Sequence, residues 1–115
     1  MSFNERMLAQ VRLTTVNNTL LYTPPKNLIV VATYMIICSR GAQATPVLSW
    51  FHQQNGADYD DNTIIMDEVP FVPNLFHDWT GKIILNTFEN ESSKLTVTSD
   101  TADGFTLTLY GATIK

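Results

Sequence analysis

Residues Leu28 to Cys38 read Leu-Ile-Val-Val-Ala-Thr-Tyr-Met-Ile-Ile-Cys, an apolar run broken only by Thr33. No other feature limits the fold as strongly. β-Branched and aromatic side chains dominate the run, and these fit a pleated, half-buried surface. A surface helix would show polar positions at a 3.6-residue period, and the run lacks them. It is also too short to cross a bilayer as a helix, which takes about 20 residues. The expectation is a strand, whose side chains alternate between faces. Leu28, Val30, Ala32, Tyr34 and Ile36 fall on one face, and Ile29, Val31, Met35 and Ile37 on the other. Both sets are apolar, so both faces need cover. A domain core supplies one cover. The second has to come from a loop, the N-terminal arm or a neighbouring subunit.

The rest of the chain extends the β pattern. Phe105, Leu107 and Leu109 alternate with Thr106, Thr108 and Tyr110, as Leu95 and Val97 do with Thr96 and Thr98. Each reads as a strand with one face inward and one wet. Shorter candidates are Leu20–Thr23, Pro46–Gln53, Thr63–Val69, Leu75–Asp78 and Lys82–Asn86. Turn chemistry separates them at Pro24-Pro25, Arg40-Gly41, Asn55-Gly56, Pro70 to Pro73 and Asp103-Gly104. Asp103-Gly104 is the strongest signal, because glycine accepts the positive φ of primed hairpin turns. Strands punctuated this way predict an all-β fold, a single antiparallel β-sandwich or jelly roll of about eight strands. Ser2 and Glu5 have capping-box spacing, and Met7, Leu8 and Val11 then share a helical face. Residues 1–12 are therefore expected as an N-terminal arm or short helix, and 13–115 as the sandwich.

A chain of 115 residues suits one domain. Charged residues make up 16% of it, against an average of about 25%. That composition excludes disorder and leaves surface for a partner to cover. Seven Lys and Arg stand against eleven Asp and Glu, a net charge of −4. Phosphate contacts need clustered cations, so no nucleic acid is expected as a partner. Cys38 is the only cysteine, which rules out an intrachain disulfide and a thiolate zinc site. Met1–Gln10 carries Glu5 and Arg6 mid-segment and lacks the apolar stretch of a secretion signal. Synthesis in a cytoplasm is expected, with no membrane partner. Asn17-Asn18-Thr19 and Asn90-Glu91-Ser92 match the glycosylation pattern but are read as chance matches in that setting.

Residues able to carry chemistry are few. His52 shares a strand face with Leu48 and Trp50, which favours a structural or surface histidine. His77 and Asp78 are consecutive in an extended segment, so they point to opposite faces and cannot orient one another. Cys38 has no neighbour in sequence to lower its pKa and reads as a small buried hydrophobe. The cluster Asp58-Tyr59-Asp60-Asp61-Asn62 imitates the start of a calcium loop. The glycine such a loop needs next is replaced by Thr63 and Ile64, and Val69 stands where a bidentate Glu belongs. It reads as a solvated acidic loop. Trp50, Phe51, Tyr59, Phe71, Phe76 and Trp79 fit a core better than a sugar-stacking platform, since Trp50 and Phe51 point opposite ways. No nucleophile elbow, P-loop or dinucleotide fingerprint is present. The chain is expected not to be an enzyme, with no catalytic, cofactor-binding or metal site and no cofactor.

Three blocks carry a family resemblance. The first is Leu13-Thr14-Thr15 with Leu20-Leu21-Tyr22-Thr23-Pro24-Pro25, leading into the strand that ends Ile36-Ile37-Cys38. The second is Phe76-His77-Asp78-Trp79-Thr80-Gly81-Lys82-Ile83-Ile84-Leu85. The third joins Leu95-Thr96-Val97-Thr98 to Phe105 through Lys115. In this order residues 13–115 resemble small virion structural proteins of tailed bacteriophages. Pro25-Lys26-Asn27 stands where that family usually has alanine-glycine or asparagine after the proline. The resemblance implies a β-sandwich on the outside of a virion, decorating or cementing the capsid, or serving as a neck, tail or fibre accessory. It implies the major capsid protein or other virion proteins as partners, a homo-oligomer (dimer or trimer), and no cofactor. It transfers no catalytic residue. A host-glycan-binding β-sandwich module is the third alternative.

Overall fold

The computed structural model describes residues 5–40, 46–60, 62–72 and 75–114. Eight strands run through them: β1 (Arg6–Leu13), β2 (Thr19–Tyr22), β3 (Ile29–Ser39), β4 (Val47–Gln54), β5 (Ile64–Pro70), β6 (Phe76–Asn86), β7 (Ser93–Ser99) and β8 (Phe105–Thr113). Sheet A has the order β1-β8-β3-β6 and sheet B the order β2-β7-β4-β5. Every pairing is antiparallel. Within these sheets β1 lies beside β8, β2 beside β7, β3 beside β6 and β4 beside β5. A chain nested in this way is one long hairpin rolled into two layers, the jelly-roll arrangement of a β-sandwich.

The core fills the space between the sheets. Leu13, Met35, Ile37, Leu85, Phe105, Leu107 and Leu109 enter from sheet A, and Leu21, Leu48, Trp50, Leu95 and Val97 from sheet B. Each such side chain contributes about 1.5–3 kcal/mol when removed from water. Their period-2 spacing in β7 and β8 is the spacing the sequence shows.

Four expectations need correction. Residues 6–12 are neither helix nor free arm. They belong to β1, which pairs with β8 from Arg6↔Gly111 to Leu13↔Phe105. Leu8, Ala9 and Val11 pack on the core, and that burial outweighs the capping signal, whose Ser2 lies outside the described residues. Second, Leu75–Asp78 and Lys82–Asn86 are not separate strands, because β6 runs through Thr80-Gly81 as an irregularity in its ladder with β3.

Third, the ladder shifts between Ala32 and Tyr34 against both neighbours of β3. A bulge adds one residue and reverses the alternation beyond it. Ala32, Met35 and Ile37 therefore all reach the core, while Val31, Tyr34, Ile36 and Cys38 share the other face. The two apolar sets of the sequence exchange faces at Thr33. Fourth, the positive φ of the last turn falls on Asp103, at 58°, rather than on Gly104. Among the described residues no helix is long and apolar enough to cross a membrane.

Candidate functional site

The outer surfaces of the two sheets differ. On sheet B, the segment after β4 folds back over the sheet. Tyr59 sets its ring against Phe51, centroids 5.6 Å apart at 64°. The Gln53 side-chain amide donates to the Ala57 carbonyl at 2.7 Å, and its oxygen accepts from the Thr96 hydroxyl at 2.6 Å. The Ser49 hydroxyl accepts the Glu68 N–H at 2.8 Å. Ala57 and Tyr59 thus lie over part of this face, and the polar groups of Ser49, Gln53 and Thr96 on it are satisfied, while Leu20 at its edge is 50% exposed.

Sheet A is more open, although Thr108, Val31 and Ala112 on its outer side are buried. Paired residues in an antiparallel ladder share a face, so its outer surface can be read row by row. One row is Gln10, Thr108, Ile36 and Asp78; the next is Arg12, Thr106, Cys38 and Phe76. Tyr110, Tyr34 and Thr80 form a third, and Ala112, Val31 and Ile84 a fourth. Apolar side chains concentrate on β3 and β6. Phe76 is 70% exposed and Ile84 46%. Leu75 and Ile114 at the two ends are exposed as well. Val31, Thr33, Gly81, Lys82, Ile84 and Ile114 line a shallow depression at one end.

Charged side chains lie on and around this face. Glu5 accepts a hydrogen bond from the Thr33 hydroxyl. Arg12 meets Asp103 at 3.4 Å, both side chains more than half exposed. The Tyr34 phenol is pushed up, first by desolvation and then by the neighbouring Asp78 carboxylate. Tyr34 and Tyr110 lie together at the centre of the face, ring centroids 5.9 Å apart.

The residues weighed for chemistry do not converge. His52 lies on the Leu48–Trp50 face of β4 in sheet B, half-buried, and burial lowers its imidazole pKa. His77 points inward from β6 in sheet A and packs edge-on against Phe71, ring centroids 4.8 Å apart. Asp78 points the opposite way, beside Tyr34. The Asp60 carboxylate is taken up by the Asn62 N–H at 2.9 Å, and the Thr63 hydroxyl donates to the Asp58 carbonyl at 2.8 Å. This is a turn held by its own side chains; Asp61 lies outside the described residues. Among the described residues no group of three or more His, Cys, Asp or Glu side chains could hold a metal.

Trp50 is fully buried. Trp79 packs edge-on against it, 5.0 Å away, so neither tryptophan offers a sugar-stacking surface. Cys38 corrects the sequence reading: it is half-buried on the outer face of sheet A rather than in the core. Phe76 is likewise no core residue. Its alternation with His77 gave a signal, but the buried partner, not the exposed one, has the polar ring.

No family model, no curated protein and no solved structure matches this chain.

Proposed function

We propose that this chain is a non-enzymatic structural protein of a phage virion, one that decorates or cements the capsid through subunit interfaces. The outer face of sheet A is the observation that carries the reading. Phe76 and Leu75 at one end of it, and Ile84 and Ile114 at the other, are exposed, and exposed apolar surface marks sites of association. The face spans four strands, an extent suited to another protein surface rather than to a small substrate. The jelly roll is shared by viral capsid proteins, lectins and cupins, so the fold admits the reading without selecting it. The separation of His52 and His77 on different sheets weighs against a metal-dependent cupin chemistry, and the burial of Trp50 weighs against a glycan platform. The resemblance of residues 13–115 to small virion proteins favours the capsid. On this reading the partners are the major capsid protein or other virion proteins.

The test is quantitative mass spectrometry of density-purified particles from cells producing the chain. The expected result is co-purification at a fixed, high copy number relative to the major capsid protein. Absence from purified particles overturns the reading.

A further inference from the structure

Resting on that reading, we propose that the outer face of sheet A is covered by a second copy of this chain, in a two-fold dimer. The axis runs across the strands, near the Tyr34–Thr80 pair, so that β6 of each copy lies antiparallel over β6 of the other.

The pattern along β6 leads to this axis. Its outward positions are Phe76, Asp78, Thr80, Lys82 and Ile84. Counted from Thr80, the series mirrors itself in hydrophobicity and reverses in charge. A two-fold axis through Thr80 sets Phe76 against Ile84 of the second copy, and Asp78 against its Lys82. Isologous contacts require this kind of self-complementarity. Tyr34, level with Thr80, then meets Tyr34 of the second copy, with sheets stacked about 10 Å apart as in a sandwich.

The area suits such a contact. Four strands about 4.8 Å apart and about eight residues long cover roughly 19 Å by 27 Å. That is on the order of 500 Å² in plan, before side-chain relief is counted. A standard interface buries about 800 Å² of accessible surface per partner. On sheet B, Tyr59 and Ala57 already lie over Phe51 and Gln53.

Sedimentation equilibrium of the full chain, from about 1 to about 200 µM, tests the proposal. Specific dimers of this size hold together in that range. The expected species is a dimer. Phe76→Glu and Lys82→Asp should each raise its dissociation constant more than about tenfold, since each change occurs twice in a symmetric contact. The double variant Asp78→Lys with Lys82→Asp should restore dimerisation, because the axis pairs those two positions. Thermal unfolding of each variant checks that the exposed substitutions leave the fold intact. A wild-type monomer throughout, a dimer indifferent to Phe76→Glu, or a double variant that stays as weak as Lys82→Asp would overturn the proposal. None of these outcomes bears on presence in particles, which decides the virion reading separately.

Discussion

Trp79 of β6 sets its indole at 81° to that of Trp50 on β4, ring centroids 5.0 Å apart, and so ties sheet A to sheet B edge to face. Gly81 leaves the room this needs: a Cβ there would stand 2.5 Å from the Trp79 ring. The ring cannot swing away without leaving Trp50. Trp79→Ala should therefore cost about 2–4 kcal/mol, and Gly81→Ala about 1–3 kcal/mol by overpacking. Urea denaturation of the two single variants and their combination checks the mechanism. In a Trp79→Ala background the Gly81→Ala penalty should nearly vanish, because the two sites share one contact.

Gly111 and Gly56 should respond to alanine differently. A Cβ on Gly111 would collide with the Val31 carbonyl oxygen, with Leu8 at 2.8 Å and with the Ala32 Cα at 3.0 Å. Two of these are backbone of the central strand and cannot yield. Gly56 has open space around it but a φ of 82°. There the cost is backbone strain alone, about 1–2 kcal/mol. Gly111→Ala is expected to cost more than about 3 kcal/mol or to prevent folding. Soluble yield and Tm of the two variants read the difference directly.

Much of this architecture is legible in the amino-acid order. Leu95, Val97, Phe105, Leu107 and Leu109 alternate as they pack, and the apolar run becomes the central strand β3. The bulge at Thr33 left no mark, because every residue around it is apolar or β-branched and either alternation reads alike. β1 was hidden for a different reason: Met7, Leu8 and Val11 are spaced for a helical face, and only pairing with β8 fixes the segment as a bulged strand. The open face of sheet A was half visible. Its β3 stripe shows in sequence as an apolar surplus, but Phe76 and Ile84 join it only through the register with β6, which is a long-range property.

His77 Nε2 and Ser39 Oγ are buried and find no hydrogen-bond partner among the described residues. An unmet buried polar group costs about 1–3 kcal/mol. His77→Phe keeps a ring against Phe71 and removes the unmet nitrogen, so it should leave Tm unchanged or raise it. Ser39→Ala should do the same. Loss of several degrees in both variants would mean that these groups are satisfied in solution.

His52 gives the fold a pH dependence. Burial lowers its pKa in the folded chain, while the unfolded chain keeps an ordinary value near 6.5. Between the two values the unfolded state binds more protons, so stability rises with pH there. The contribution is present above about pH 6.5 and is lost as pH falls through the folded-state value. His52→Gln should flatten that part of the curve. Urea midpoints for parent and variant between about pH 5 and about pH 8 check it, a window set by the unfolded histidine. Parallel curves would remove His52 as the cause.

Removing residues 1–11 should damage the fold rather than a docking arm. The deletion takes the β1 partners of Leu107, Thr108 and Leu109 and leaves the backbone edge of β8 unpaired. It also removes Leu8 and Val11 from the core margin, about 3 kcal/mol for two half-buried side chains. At roughly 4 °C per kcal/mol, Tm should fall by about 12 °C. The bared β8 edge should promote aggregation, since an unpaired strand edge templates further pairing. Differential scanning calorimetry with light scattering checks both effects. A deleted chain that stays free of aggregates with an unchanged Tm would show that β1 contributes little to the sandwich, and that sheet A stands on β8, β3 and β6 alone.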